Sequence, residues 1–337
     1  MSIPIKLATA VRVRSEGDEV VDRRHVLKSV VCGLSGVGWA AAHGRESLGG
    51  PSPALESGSK ATAKNEPFVE TSDGTRLFYR EWGTGDPVLF VHSWAVNADL
   101  WQYQMIYLAA QRMRCVAYDQ RGHGRSSDPG KGYEYDTLSA DLASVLDRLD
   151  LRSVTLVGHS MGCGTIVRFL TRNGKSRVKR IVLVSPTMPL LLKTEDNPQG
   201  VDKAALERLR GGWRKDFAKW VTENARPFFT PETSEGMVEW GISMVRQASL
   251  KALIDCNLAD AETDFRAELP KITVPTLVIH GDKDVSAPLE LTGRKTAALI
   301  PGSRLIVYEG APHGLMLTHI DRLNADLLHF IRSDAAR

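Results

Sequence analysis

The chain has 337 residues and a formal net charge of +3, and its composition is ordinary for a globular protein, with 42% hydrophobic and 25% charged residues. A charge this small gives no electrostatic reason to expect a nucleic-acid partner, and no basic run clusters in the globular part of the chain. We therefore predict no nucleic-acid partner.

The first 42 residues differ in composition from the rest. The pair Arg23-Arg24 is followed by an apolar but glycine-diluted run, residues 29–42, that ends in three alanines. Paired arginines, a weakly hydrophobic stretch and a small-residue end resemble a bacterial twin-arginine export signal, which implies that residues 1–42 direct export to the periplasm or the medium. The alternative is a short amphipathic helix on a cytoplasmic protein. A run of 14 residues is short for a bilayer span, so no stable membrane anchor is expected.

Residues 43–66 are rich in Gly, Ser, Pro, Ala and Lys and show no periodicity, which predicts a disordered linker. The globular domain is therefore predicted at residues 67–337. Its cysteines, Cys115, Cys163 and Cys256, are an odd number at unpatterned spacing, which indicates no disulfide framework. No Cys/His spacing suggests zinc, and we expect neither a metal nor a cofactor.

Within this domain, short apolar runs alternate with segments of helical periodicity. The apolar runs predict strands at residues 68–70, 76–82, 88–91, 114–118, 154–157, 181–184, 276–279 and 304–308. The periodic segments predict helices at residues 101–111, 137–149, 160–172, 289–299 and 321–332. Continuous apolar runs are typical of strands covered on both faces, so we predict an α/β fold with a mostly parallel eight-stranded sheet flanked by helices.

Residues 158–162 read Gly-His-Ser-Met-Gly and stand between a predicted strand and a predicted helix. Strand, Gly-x-Ser-x-Gly, helix is the context of a nucleophile elbow, in which small residues allow a sharp turn that exposes the serine hydroxyl. The helix N-terminus beneath the turn favours developing negative charge. We therefore predict a catalytic serine at Ser160, although a glycine-rich turn without chemistry is the simpler alternative.

Between Pro186 and Leu269 the alternation of strands and helices stops. Bulky apolar residues recur there at three- and four-residue steps, which is typical of amphipathic helices: Leu206, Leu209, Trp213, Phe217 and Trp220, then Met237, Trp240 and Met244. These helices are predicted to form a cap over Ser160, at about residues 186–269. Such a stripe is more often plain packing than a substrate pocket, and both roles are compatible.

A serine hydroxyl needs a base to accept its proton, and the base needs an orienting carboxylate. Of the nine histidines, His313 is predicted to lie on a loop after the last strand, at the appropriate edge of the sheet. The carboxylate is expected in the loop after strand 276–279, which offers Asp282 and Asp284. Spacing only mildly favours Asp284, since Asp282 is placed to cap the turn.

The oxyanion that forms on an attacked carbonyl needs two backbone N–H donors. One is predicted to be Met161, at the start of the helix. The other is expected from residues 92–95, His-Ser-Trp-Ala, in the loop after strand 88–91.

Residues 68–332 as a whole resemble the α/β-hydrolase fold enzymes, and most closely the cofactor-free haloperoxidases and aryl esterases. The motifs typical of the superfamily are residues 119–126 (D-Q-R-G-H-G-R-S), the Ser160 elbow, residues 281–284 (G-D-K-D) and His313-Gly314. Those typical of the branch are residues 192–198 (L-K-T-E-D-N-P), 236–238 (G-M-V), 263–265 (T-D-F) and 324–328 (N-A-D-L-L). The resemblance implies that Asp284 completes the triad and that Trp94 supplies the second oxyanion N–H.

The predicted function is a serine hydrolase that cleaves small carboxylic esters through an acyl-enzyme on Ser160. The alternatives are a cofactor-free perhydrolase or haloperoxidase, a lactonase, or a non-enzymatic ligand receptor of the same fold with an idle triad. Ala95 stands where the perhydrolases tend to have proline after the aromatic residue, and alanine leaves that backbone unconstrained. We therefore expect water, rather than peroxide, to be the main second nucleophile.

Overall fold

A computed structural model describes residues 66–172 and 175–333 of the chain. The predicted export signal, residues 1–42, lies outside the described residues, as does the predicted linker apart from Glu66. The strands are β1 (Phe68–Glu70), β2 (Arg76–Trp82), β3 (Asp86–Val91), β4 (Met113–Tyr118), β5 (Val154–His159), β6 (Val178–Val184), β7 (Thr276–Gly281) and β8 (Arg304–Tyr308).

The strands form one eight-stranded sheet in the spatial order β1-β2-β4-β3-β5-β6-β7-β8. The β1–β2 and β2–β4 pairings are antiparallel, and every other pairing is parallel. The prediction of a mostly parallel sheet of eight strands is confirmed. Because parallel strands end at the same edge, the loops that follow β3, β5, β7 and β8 are brought to one side of the sheet.

Helices cover both faces of the sheet and the edge that carries these loops. They are α1 (Gln102–Ala110), α2 (Tyr135–Arg148), α3 (Met161–Arg172), α4 (Lys203–Asn224), α5 (Glu235–Val245), α6 (Leu250–Glu262), α7 (Gly293–Leu299), α8 (Leu315–Thr318) and α9 (Ile320–Arg332). Alternate residues of β3 show the two-sided burial: Leu89 and Val91 pack in the cluster that contains α2 and α3, and Val88 and Phe90 pack in the cluster that contains α1 and α9. This burial explains why the central strands are continuous apolar runs.

The predicted cap corresponds to α4, α5 and α6, which are inserted between β6 and β7. The helix α4 is interrupted at Asp216, whose φ and ψ of −159° and 83° are not helical. The Asp216 carboxylate accepts the amide N–H of Lys219 at 2.8 Å, as an N-cap does, so the second half of α4 begins afresh there.

One predicted helix begins later than expected. α7 starts at Gly293, four residues after the predicted position, because Leu291 and Thr292 instead form hydrogen-bonded turns back to Pro288. The three cysteines of the described part, Cys115, Cys163 and Cys256, are buried and free. No helix within residues 66–172 and 175–333 has both the length and the apolar character that crossing a membrane requires.

Candidate active site

The sharp turn between β5 and α3 carries Ser160. Its φ is 53°, a left-handed conformation that is rare for a residue with a side chain, and its amide N–H donates to the Val184 carbonyl at 2.9 Å. The glycines on either side are required by close contact: a Cβ at Gly162 would lie 2.5 Å from the Val91 carbonyl oxygen, and one at Gly158 would clash with the first turn of α3. The sequence therefore forms the strained turn in which a serine hydroxyl projects beyond the strand.

The imidazole of His313 is held by Asp284. Its Nδ1 lies 2.6 Å from Asp284 Oδ2. His313 lies on the loop after β8 and Asp284 on the loop after β7, and the parallel pairing of these strands brings the two loops together. Oδ1 of Asp284 accepts the backbone N–H groups of Ser286 at 3.0 Å and Ala287 at 2.8 Å. The carboxylate is thus fixed through both oxygens, with Oδ2 directed at the imidazole.

Asp284 remains ionised although it is buried. Burial opposes its ionisation, but His313 and His280 outweigh that effect and hold the pKa of Asp284 well below its ordinary value. His280 Nε2 lies 3.2 Å from Asp284 Oδ2 and 2.7 Å from the Ala287 carbonyl, an arrangement that an N–H at Nε2 satisfies. The sequence did not reveal that His280, the histidine near the end of β7, contacts this carboxylate.

A second histidine packs behind the first. His159, the second residue of the elbow, is buried, and its ring centroid lies 4.6 Å from that of His313. Its Nε2 donates to the His313 carbonyl at 3.0 Å. Burial, together with the neighbouring His313, lowers the pKa of His159 well below its ordinary value. A neutral imidazole therefore supports the His313 loop without placing a positive charge against it.

The other aspartate of the β7 loop lies outside this arrangement. Asp282 is exposed, and its Oδ1 accepts the Gly310 amide N–H at 2.7 Å. It caps the turn between the two loops, as the sequence spacing indicated. The geometry therefore brings Asp284, and not Asp282, against His313.

Ser160 and His313 both line a cavity of about 530 Å³ whose wall includes residues of α4, α5 and α6. The wall is largely aromatic and aliphatic, and its aromatic members are Trp94, Trp213, Trp220, Phe228 and Phe229. Trp213 is 1% exposed and stacks on Trp94 with ring centroids 4.8 Å apart. The aromatic stripe on α4 therefore serves both of the roles considered for it, since it packs the cap and borders the cavity.

Of the two predicted oxyanion donors, Trp94 lines this cavity, and Met161 directly follows the lining residue Ser160. Met161 is the first residue of α3, where helical N–H groups lack an intrahelical acceptor. Trp94 lines the cavity, and its indole Nε1 donates to the Leu253 carbonyl of α6 at 2.7 Å, which fixes the side chain to the cap.

The residue after Trp94, Ala95, has a φ of 70°. The expectation of an unconstrained backbone at Ala95 is therefore wrong, because the loop holds it in a left-handed conformation that proline cannot adopt.

A family model described as the α/β-hydrolase fold matches residues 86–320. This span is more than half of the chain and contains β3 to β8, the cap, the elbow and both site loops. The chain belongs to the α/β-hydrolase fold family. Ser160 and the loops that carry Asp284 and His313 lie at the carboxyl ends of the parallel strands. This is the edge of the sheet at which α/β folds place reactive groups.

Two curated relatives and one solved structure show which hydrolase-fold proteins this one is similar to. The non-heme chloroperoxidase CPO-A1 of Kitasatospora aureofaciens is 38% identical over 272 residues, which cover 79% of this chain and 99% of that protein. The bifunctional esterase/perhydrolase of Acinetobacter calcoaceticus is 37% identical over 276 residues, again 79% and 99%. The esterase structure from Exiguobacterium antarcticum superposes with a TM-score of 0.77 at 32% identity and covers 79% and 99% of the two chains. The predicted resemblance to haloperoxidases and esterases of the α/β-hydrolase fold is confirmed.

Proposed function

We propose that this protein is a serine hydrolase that cleaves small carboxylic esters through an acyl-enzyme on Ser160. The proposal depends on one observation: the imidazole of His313 is hydrogen-bonded to Asp284 and lines the same cavity as Ser160. A Ser-His-Asp triad consists of a nucleophile, a general base and a buried carboxylate, which are the roles we propose for Ser160, His313 and Asp284. The cavity volume of about 530 Å³ is in the range of small-molecule sites.

The first half of the reaction forms the acyl-enzyme. His313 Nε2 accepts the proton of the Ser160 hydroxyl while Oγ forms a bond to the ester carbonyl carbon. The negative charge that develops on the carbonyl oxygen is stabilised by the backbone N–H groups of Met161 and Trp94. The ester C–O bond then breaks, and His313 returns the proton to the departing alcohol. Asp284, kept ionised beside Nδ1, stabilises the imidazolium that exists between these two transfers.

The second half of the reaction depends on which nucleophile reaches the acyl group. Water gives the carboxylic acid, and hydrogen peroxide gives a peracid, with the same base and the same oxyanion donors in both cases. Ala95 has a φ of 70°, which proline at the same position could not adopt, so the backbone next to Trp94 differs from that of a loop with proline there. We propose that water is the main nucleophile. Perhydrolysis is the second candidate, favoured by the likeness to the bifunctional esterase/perhydrolase.

A panel of para-nitrophenyl esters of rising acyl length, each assayed with and without hydrogen peroxide, tests this proposal. We expect ester hydrolysis by the wild type and stoichiometric labelling of Ser160 by a fluorophosphonate. Absence of both turnover and labelling would favour the receptor with an idle triad. Peracid formation that exceeds hydrolysis, with one acyl donor, would overturn the assignment of water as the main nucleophile.

We further propose that the protein is exported by a twin-arginine route. The supporting observations are the Arg23-Arg24 pair and the weakly hydrophobic, alanine-terminated run at residues 29–42. That route carries proteins that are already folded, which suits three buried, unpaired cysteines.

A further inference from the structure

One carboxylate that borders the cavity has no part in ester hydrolysis as proposed above. Asp260 on α6 lines the cavity together with Ser160 and His313. The phenol of Tyr135 and the hydroxyl of Thr187 both donate to its Oδ1, at 2.5 and 2.7 Å. Among the described residues these are the hydrogen bonds that Asp260 makes, and none falls on Oδ2. The two hydroxyl groups therefore fix the carboxyl group and leave one oxygen for a ligand.

The cavity wall carries one acidic side chain. Of the described residues that line it, Asp260 is the single acid, none is lysine or arginine, and His313, the proposed catalytic base, is the single histidine. Arg210 of α4 reaches the wall residue Asn257 at 3.1 Å, but Glu207 also holds that guanidinium, at 2.9 Å. Apart from the imidazole of His313, which the proposed reaction uses as its base, no basic side chain among the described residues lines the cavity with Asp260. When the Asp260 carboxylate is ionised, it therefore repels an acidic substrate and attracts a cationic one.

The aromatic part of the wall favours the same kind of ligand. Trp94, Trp213 and Trp220 all line the cavity. Trp213 stacks on Trp94, and Trp220 meets the Trp213 ring edge-on with centroids 5.1 Å apart. Indole faces attract organic cations, and attraction is stronger where water is excluded. A carboxylate and three indole rings line one cavity, with no lysine or arginine among the described wall residues, and this combination suits an ammonium group.

We propose that Asp260 selects esters that carry an ammonium group, with Oδ2 and the indole faces binding the cation while the ester carbonyl reaches Ser160. Burial raises the pKa of Asp260, although Tyr135, Thr187 and His313 act in the opposite direction. A cation bound at Oδ2 stabilises the ionised carboxylate that burial disfavours. The proposal rests on the proposed ester hydrolysis, and the experiment below separates the two.

The test compares two para-nitrophenyl esters of the same shape, one of γ-trimethylammoniobutanoate and one of the neutral acid in which carbon replaces the nitrogen. We expect Asp260→Asn to lower the ratio of kcat/KM for the cationic ester to that for the neutral ester about tenfold or more. Asn keeps an oxygen for Tyr135 and Thr187, so the packing is preserved. The control is Asp255→Asn on the same helix, an acid that pairs with Lys251, does not line the cavity, and should leave the ratio unchanged.

Binding of phenyltrimethylammonium, followed by tryptophan fluorescence, gives a readout that does not depend on turnover. Binding that weakens in Asp260→Asn but not in Asp255→Asn supports the ammonium site, even if neither ester is hydrolysed. A failure to hydrolyse both esters would instead contradict the proposed ester hydrolysis. An unchanged ratio in Asp260→Asn, with hydrolysis intact, overturns the ammonium site alone. If circular dichroism shows that Asp260→Asn does not fold, the wild-type ratio decides, and an enzyme without preference for the cationic ester refutes the proposal.

Discussion

Replacing Asp284 by asparagine tests the assignment of the triad carboxylate. Asparagine has the same shape, but only one of its two terminal atoms is an acceptor. The backbone N–H groups of Ser286 and Ala287 both donate to Oδ1, so the amide oxygen has to remain there and the NH2 group takes the place of Oδ2. It then donates to His313 Nδ1, which forces the imidazole proton onto Nε2. That nitrogen is the one that has to accept the proton of Ser160.

The expected effect of Asp284→Asn is a fall in kcat/KM of roughly a thousandfold or more, as expected when the wrong tautomer of the base is enforced. This corresponds to about 4 kcal/mol of transition-state stabilisation, at 1.36 kcal/mol for each tenfold change in rate. The NH2 group also faces the N–H of His280, so we expect a lower melting temperature with the fold retained. The assay is hydrolysis of para-nitrophenyl acetate at one pH, with circular dichroism on both proteins.

Asp282→Asn is the matched control, because it makes the same chemical change two residues away. Its carboxylate is exposed and accepts the Gly310 amide, which an asparagine oxygen can also do. We expect its kcat/KM to stay within about twofold of the wild type, as for most surface substitutions. A larger loss in Asp282→Asn than in Asp284→Asn would show that the wrong carboxylate has been assigned.

Three further predictions concern other parts of the chain. Ser160→Ala and His313→Ala should each remove nearly all turnover, and the double variant should be no slower than either, which single-turnover kinetics can measure; additive losses would contradict a joint role. Replacing Arg23 and Arg24 by lysine should retain a longer precursor in the cytoplasm, visible by fractionation and immunoblotting; native cytoplasmic protein that still carries residues 29–42 would rule out export. Ala95→Pro should lower activity with both water and peroxide and reduce the melting temperature, whereas Ala95→Gly, which permits a φ of 70°, should not.

The sheet could be predicted from the sequence because each central strand is buried on both faces. All residues of β5 and β7 are buried, so each is a short apolar run that turn residues end sharply. The elbow was equally visible, since close contacts of the backbone demand glycine on both sides of Ser160. The start of α7 was not visible, because the turns back to Pro288 use residues that also suit a helix.

The contacts of His159, His280 and Asp260 could not be predicted, because each depends on which element lies opposite. His280 of β7 reaches Asp284 in the loop that follows the same strand, but a histidine near the end of a strand has the same sequence pattern whether or not it contacts a carboxylate. His159 contacts His313, which is 154 residues later in the chain. Asp260 lies on an amphipathic helix, where an acid is ordinarily a solvent-facing residue, and only the packing of α6 against Tyr135 and Thr187 turns it toward the cavity.

The residues proposed for chemistry could be predicted from the sequence, whereas Asp260, proposed for selectivity, could not. Ser160, Asp284 and His313 follow the parallel strands β5, β7 and β8, and their spacing is set by the positions of these strands in the sheet. Asp260 and Trp213 lie on the inserted cap, which contacts the triad region through the cavity wall and through the bond from Trp94 to Leu253. Changes on the cap can therefore alter which ester is bound while the geometry of proton transfer stays the same. Trp94 is the exception, because its backbone belongs to the proposed oxyanion site and its side chain is fixed to the cap, so a displacement of α6 would change both binding and rate.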